Sequence, residues 1–509
     1  MNPNLFRHGI LRGLESARGS STSEGRFGRM FRTLPKAQFD QKFLTKLADL
    51  MVSEKDAQPT PEDANPRDDE ENTGISAGYT YLGQFIDHDI TFDPASSLQK
   101  QNDPDSLEDF RTPRFDLDNV YGRGPDDQPY LYQSDGKRLL LSTRKLTGSS
   151  FDDNVRDLAR NQPDPGDKDP RKRAIIGDPR NDENVIVSQL QGMFLRFHNR
   201  VVDLKPEASF QEVQQSVRWH YQWVILHDFL PKILGKETLE SIFPRLGTAS
   251  DPGIARPVLH YYQWHHQPFM PVEFSVAAYR FGHSMVRPEY RLNTTLPGRF
   301  DIFSMDPQTS LVGFREFPSD WAIDWRLFFD FGNNPNQFSK QRIQPAYKID
   351  SSLVNPLKNL PPSVASQVSS LAQRNLMRGN SMGLPSGQDV ARALHIRPIP
   401  DAQLRIGKAN QDGQKSNPSI QMVEGYQAGK APLWFYILAE SQLQFMNNDT
   451  PIHLGPVGGR IVGEVFAGLL AGDSHSYLNQ DPFWAPEKTF LSKDGKFGIA
   501  ELLSQAKLA

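Results

Sequence analysis

Gly83-Gln84-Phe85-Ile86-Asp87-His88-Asp89 places an amide, two carboxylates and an imidazole in seven residues that are otherwise apolar enough to be buried. On a helix, Gln84 and His88 sit one turn apart, with Asp87 on the same face. Asp89 is rotated by about 100° from His88 and points elsewhere. Buried charges and imidazoles are costly unless they have partners, so this turn of helix asks for a different set of partners on each of two faces. Taken alone, such a cluster is more often a solvated or structurally paired group than a functional one.

Working outward, the apolar spacing predicts a mainly α protein. A short helix is expected around Phe39 to Met51. From Val185, apolar residues recur at Ile186, Leu190, Met193, Phe197, Val201 and Leu204, close to the 3.6 period. A second long helix is expected from Phe210 to Leu230, stopped by Pro231, and a third from Phe274 to Val286, ending before Pro288. The 39 prolines and 37 glycines fall mostly between such segments, which predicts long ordered loops and few short strands. No internal repeat or linker divides the chain. Residues 1–73 read as an arm, expected to wrap the surface, followed by an exposed acidic loop from Ser53 to Asn72. Residues 74–509 read as one large catalytic domain.

Composition narrows the chemistry. In 509 residues the formal net charge is −4, too small to suggest nucleic acid or an anionic membrane as partner. There is no cysteine, which excludes disulfides, thiolate metal sites and cysteine nucleophiles. No run approaches the roughly 20 apolar residues of a membrane span. The Arg-, Gly- and Ser-rich stretch before Phe31 lacks the apolar core of a secretory signal. Cytoplasm is the default compartment, with export by a route lacking such a signal as the alternative.

Three further clusters share the character of the first. Thr112-Pro113-Arg114-Phe115-Asp116-Leu117-Asp118 sets oxygen-bearing side chains at alternate positions of an extended loop. Thr112, Asp116 and Asp118, with the carbonyls of Thr112 and Arg114, can converge on a calcium ion, which takes 6–8 oxygen ligands; an ordinary polar turn has the same composition. Arg180-Asn181-Asp182-Glu183 precedes the helix from Val185, where acidic residues also suit the helix dipole. Arg280-Phe281-Gly282-His283 lies on an expected apolar helix, where a histidine is commonly a satisfied core residue. Together they fit one arrangement: a haem between His88 and His283, with Arg180 beside His88. Gly282 would let a flat macrocycle approach the backbone, and Asn375 could accept the Nδ1 proton of His283 and orient it.

These segments, in this order, resemble the peroxidase–cyclooxygenase superfamily, the animal-type haem peroxidases and their bacterial relatives, from about Gly74 to Phe466. The resemblance implies a haem-peroxidase domain containing haem b and Ca²⁺. It makes His88 the distal acid/base, Gln84 a border of the halide pocket and Arg180 the catalytic arginine. It makes His283 the proximal iron ligand within the segment that contains Arg280, Asn375 its hydrogen-bond partner and Arg378 a haem propionate anchor. Asp87 and Glu183 fall where the family forms haem esters. Asp89 falls at a calcium ligand alongside Thr112, Arg114, Asp116 and Asp118. His198-Asn199-Arg200 matches the family's His-Asn-Arg. The implied reaction reduces hydrogen peroxide through an oxoferryl intermediate and oxidises halides, thiocyanate or phenols, as in a response to oxidative stress.

Asn184 departs from the family pattern. It stands where myeloperoxidase carries a methionine bonded to a haem vinyl, so no sulfonium link can form, and iodide and bromide are favoured over chloride. The chain also lacks the disulfides of the animal enzymes. Three other readings compete: a haem fatty-acid dioxygenase with Tyr262 as its radical residue in Tyr262-Gln263-Trp264-His265, a catalytically silent peroxidase-like binding protein, and a non-haem metal hydrolase using Asp87, His88 and Asp89. The divergent helical directions of those three side chains count against the last.

Overall fold

The computed structural model describes residues 25–53, 68–92, 108–109, 111–168, 170–264, 267–332, 341–365, 368–449 and 452–509. Eight helices organise the core: α1 (Gln41–Leu50), α2 (Ala77–Ile90), α3 (Val185–Leu204), α4 (Phe210–Val224), α5 (Leu371–Ser381), α6 (Leu433–Met446), α7 (Pro456–Gly472) and α8 (Ile499–Ala506). α3 starts where Asn184 accepts hydrogen bonds from the amides of Ile186 and Val187, the ordinary N-cap arrangement. Polar as well as apolar positions of α3 are buried, among them Ser188, Gln189, Gln191, Arg196 and His198. It is therefore a central helix packed on several sides, not an amphipathic surface one. α2 lies against it, with Phe85 stacked on Phe194 at 4.3 Å and 12° between ring planes. Such a pair contributes about 0.5–1.5 kcal/mol beyond its buried area.

The chain is mainly α, as its periodicity predicts, and the described strands are short. Gly25–Gly28 forms the middle strand of a small sheet, antiparallel to Glu108–Asp109 and parallel to Met270–Pro271. The expected surface arm thus enters the structure at this point, burying Phe27 and Phe31; residues 1–24 lie outside those described. The expected acidic loop divides in the same way. Residues 54–67 are not described, but Glu70, Glu71 and Asn72 are buried. Glu71 begins a strand, Glu71–Ser76, antiparallel to Pro345–Tyr347, and pairs with Arg287 at 3.0 Å. Their composition reads as loop, but their ion pairs and ladder hydrogen bonds are made with residues more than 200 positions away.

Two expected helices differ in instructive ways. The one from Phe210 passes Pro231. After α4 a π-helical turn, Ile225–Phe229, feeds a short helix, Leu230–Ile233, and Pro231 sits in the first turn of that new helix, where no amide hydrogen bond is required of it. The one expected over Phe274–Val286 is broken. A short helix, Val272–Ser275, ends; Ala277 leaves helical geometry with φ −129° and ψ −71°; and a 3-10 helix, Ala278–His283, follows. Arg280 Nε donates to the Ser275 carbonyl across the break. In a 3-10 turn residues three apart eclipse, so Arg280 and His283 project from the same edge. An α-helix would not have aligned them so closely.

Candidate active site

A cavity of about 420 Å³ opens between α2, the Pro179–Asp182 turn, the Ala278–His283 turn and α5. Its wall includes Gln84, Asp87 and His88 from α2, Arg180 and Glu183, Arg280, Gly282 and His283, and Arg374 and Arg378 from α5. Residues as far apart in sequence as Gln84 and Arg378 thus meet around one space. Asp89, on the next position of α2, does not line it.

His88 is buried, and its Nδ1 lies 2.7 Å from Asn181 Oδ1. The carbonyl oxygen only accepts, so Nδ1 carries the proton and Nε2 keeps its lone pair for the cavity. Burial, reinforced by the nearby Arg180 cation, pushes the imidazole down to about 4, so it is neutral at physiological pH. Arg180 is clamped: its Nε and Nη2 donate to Asp178, Nη2 also donates to the His88 carbonyl at 3.0 Å, and the guanidinium stacks 4.5 Å from the Phe92 ring centre. Among the described residues, Nη1 has no hydrogen-bond partner. Asp178 is itself held by Arg111, and the two guanidinium groups keep its carboxyl far below the usual range despite burial.

On the other wall, the Asn375 side-chain amide lies 2.7 Å from His283 Nδ1. The pairing agrees with the expected one, but the orientation is reversed: the amide nitrogen faces the ring, and the oxygen accepts from Arg280 Nη1 at 3.4 Å. The Arg280 guanidinium thus engages the Asn375 oxygen as well as the Ser275 carbonyl. Among the described residues Nε2 of His283 has no hydrogen-bond partner, and burial pushes the imidazole down to about 3.

Glu183 is pushed up to about 7 by burial, opposed by Arg180 and Arg374. Gln84 Nε2 donates to it at 3.4 Å, while Asn184 Nδ2 donates to Gln84 Oε1 at 3.1 Å. Asn184 therefore caps α3 with its oxygen and orients Gln84 with its nitrogen. Asp87 faces the cavity with Thr91 Oγ1 donating to it at 3.1 Å.

The donor set fits a haem. Four arginines face two carboxylates across the cavity, an excess of positive charge suited to a ligand bearing two carboxylates. Val276, Met285, Ile302, Phe303, Leu360 and Leu371 supply apolar wall. A Cβ added at Gly282 would meet nothing within 4 Å, so the backbone borders open space beside His283.

A second site adjoins the first. The carboxylates of Asp89, Asp116 and Asp118 offer oxygens that all lie within 4.8 Å of one another. Neither oxygen of the fully buried Asp89 makes a well-aligned hydrogen bond, nor does Asp116 Oδ1; the nearby Leu117 amide and Tyr221 hydroxyl favour the Asp89 charge only weakly. Burial raises the pKa values of all three, that of Asp118 to about 7; repulsion adds to it, from Asp116 and Asp118 on Asp89, from Asp116 on Asp118 and from Asp473 on Asp116. Leu117 adopts the left-handed region at φ 58°, a conformation costly for such a residue, and so turns Asp116 and Asp118 towards Asp89. Thr112 Oγ1 lies 2.8 Å from Asp116, and the Thr112 carbonyl already accepts the Arg114 amide. The Arg114 side chain reaches Asp473 at 3.8 Å.

Some sequence expectations lie elsewhere. His198 and Asn199 are away from the cavity, where they bind the Lys137 carbonyl and both backbone groups of Leu139. Tyr262 is buried with its hydroxyl donating to the Phe269 carbonyl and does not line the cavity; His265 lies outside the described residues. Three positions before His283 stands Arg280, not tyrosine. Sequence reading missed Asp178, Arg111, Asn181 and Arg374. Asp178-Pro179 before Arg180 is a legible helix-start signal, and Arg374 and Arg378 are one turn apart on α5. Nothing local marks Arg111 or Asn181.

Residues 100–494 match the family model described as animal haem peroxidase. The chain is 24% identical to thyroid peroxidase of Rattus norvegicus over 398 residues, covering 74% of this chain and 40% of that protein. It is 25% identical to peroxidasin of Drosophila melanogaster over 343 residues, covering 64% and 20%. It therefore spans less than half the length of these curated relatives. Among solved structures, peroxidase A from Dictyostelium discoideum superposes with a TM-score of 0.57 at 16% identity, covering 96% of this chain and 94% of that one. A fatty acid alpha-dioxygenase from Arabidopsis thaliana gives 0.54 at 15%, covering 96% and 76%. At such identities the superpositions speak for the fold alone. The family match starts beyond α2, leaving Gln84, Asp87 and His88 to be placed by the cavity they share with His283. On the extent of that match, this chain belongs to the animal haem peroxidase family.

Proposed function

We propose that this protein is a haem peroxidase that reduces hydrogen peroxide and oxidises small anions or phenols. One observation carries the reading: a neutral His88 with its Nε2 free, a clamped Arg180 and a His283 paired with Asn375 all face one cavity. Bound haem would supply the iron that takes peroxide and the oxidising equivalents passed to the donor. His283 Nε2 would hold that iron, with a half-turn of the Asn375 amide bringing its oxygen to the Nδ1 proton. Arg280, Arg374 and Arg378 would meet the propionates.

His88 Nε2 accepts a proton from hydrogen peroxide and returns it to the oxygen that leaves as water, a general acid/base role. Arg180 Nη1 faces the negative charge that develops as the O–O bond breaks. Its guanidinium needs no reorganisation, being already fixed by Asp178 and Phe92. Gln84, oriented by Asn184, borders the space for the donor. Halides and thiocyanate, with iodide and bromide ahead of chloride, or phenols are the donor classes. Asp87 and Glu183 would be the residues that form ester bonds to the haem, and Asp89, Asp116 and Asp118, with Thr112 and Arg114, would hold a structural calcium ion.

The test is an absorption spectrum of haem-replete protein, expected to show an intense Soret band that His283→Ala weakens or abolishes. Peptide mass spectrometry of the same sample should find haem mass on peptides containing Asp87 or Glu183. No Soret band in the intact protein would remove the proposal.

The pH dependence follows from His88. Its base form persists above about pH 4, so the peroxide rate should hold as pH falls through 6.5 and drop only near 4, when Nε2 is protonated. An acid limb at the ordinary imidazole value would contradict this account of the site.

A further inference from the structure

The tautomer of His88 depends on a buried chain of amides. His88 Nδ1 donates to Asn181 Oδ1 at 2.7 Å, Asn181 Nδ2 donates to Gln191 Oε1 at 2.8 Å, and Gln191 Nε2 donates to the backbone carbonyl of Asn119 at 3.4 Å. Asn119 Nδ2 in turn donates to the Phe85 carbonyl at 3.1 Å, back on α2 one turn before His88. Asn181, Gln191 and Asn119 are fully buried, so no water competes for these bonds.

We infer that Asn181 and Gln191 are positioning residues that fix the proton of His88 on Nδ1. The inference rests on the role proposed for His88 and adds what sets it. A side-chain amide can turn by half a revolution at little steric cost, and an imidazole can carry its proton on either nitrogen. A backbone carbonyl only accepts. Because Gln191 must present its nitrogen to the Asn119 carbonyl, its oxygen faces Asn181. Asn181 must then present its nitrogen to Gln191 and its oxygen to His88. The remaining donor is Nδ1–H, which leaves the Nε2 lone pair in the cavity. Reversing any one link would set two donors or two acceptors face to face, a buried mismatch costing about 1–3 kcal/mol. The orientation of a side chain on α3 thus decides which imidazole nitrogen can take a proton from peroxide.

The relay is tested in the haem-loaded full chain with Asn181→Leu and Gln191→Leu. Association of hydrogen cyanide and of hydrogen peroxide with the ferric protein needs a proton taken up by His88; association of carbon monoxide with the ferrous protein needs none. Asn181→Leu and Gln191→Leu should slow the first two by about tenfold or more and leave carbon monoxide within about twofold. Equal slowing of all three ligands, or unchanged cyanide and peroxide rates in both leucine variants, would overturn the relay. An unmodified protein that binds haem but does not react with peroxide would instead overturn the reading of His88 on which it rests.

Discussion

His88→Leu is expected to lower the rate of reaction with hydrogen peroxide by roughly 10²–10⁴-fold, the usual range for loss of a general acid/base, while the haem band is retained. The physical basis is specific to this cavity. His88 is the one imidazole on the α2 wall, its Nε2 is unbonded, and its Nδ1 is already engaged. Leucine fills a similar volume but cannot move a proton, and it strands Asn181 Oδ1, costing about 1–3 kcal/mol of stability. Because His283 lies on a separate segment, haem retention and peroxide reactivity should separate in this variant. Stopped-flow absorbance at the Soret maximum reads both. A rate within tenfold of wild type would show that the proton is moved by some other group.

Removal of the calcium ion proposed for the acidic cluster should lower both stability and peroxide reactivity. Without it, Asp89, Asp116 and Asp118 crowd three carboxylates into a buried space, with oxygens of Asp89 and Asp116 unpaired. The spread of those oxygens, within 4.8 Å, suits an ion with ligands at about 2.3–2.6 Å, the calcium range. A ligand present at a thousand times its dissociation constant stabilises the native state by about 4 kcal/mol, so exhaustive chelation should depress the thermal midpoint by several degrees. The effect should reach the distal wall twice: through Asp89, the neighbour of His88, and through Asp118, whose contact with Arg111 at 3.3 Å leads by way of Asp178 to Arg180. Scanning calorimetry and the peroxide rate of the chelated protein are the measurements, with calcium content checked by emission spectroscopy. Metal-free protein that melts and reacts as before would rule out this role for the acidic cluster.

Much of this site is legible in the sequence, and the reasons are local. Gln84, Asp87, His88 and Asp89 sit within two turns of one helix, so a 100° rotation per residue suffices to separate cavity-facing positions from the cation-facing one. Arg180 with Glu183, and Arg280 with His283, are each spaced three apart in turns that align such pairs. The helix from Val185 is legible because an apolar period of 3.6 extends over 20 residues. Elements governed by distant partners resist the same reading. Gly25–Gly28 has no strand-like composition, and it is a strand because Glu108–Asp109 and Met270–Pro271 lie on either side of it. The chain past Pro231 stays helical because a π-turn resets the helix start, which no propensity rule anticipates.

The amino-acid sequence by itself supplied the candidate residues, because helix geometry groups Gln84, Asp87 and His88 on one face, and the family resemblance supplied the roles expected of them. Only the tertiary structure decided how those residues are held. The polarity of the Asn181–Gln191 chain, the clamp of Asp178 and Arg111 on Arg180, the reversed amide of Asn375 and the convergence of Asp116 and Asp118 on Asp89 are all contacts between segments far apart in the chain. Hydrogen-bond direction and burial exist only once those segments meet, so a period in the sequence can place His88 on a face but cannot say which of its nitrogens holds the proton.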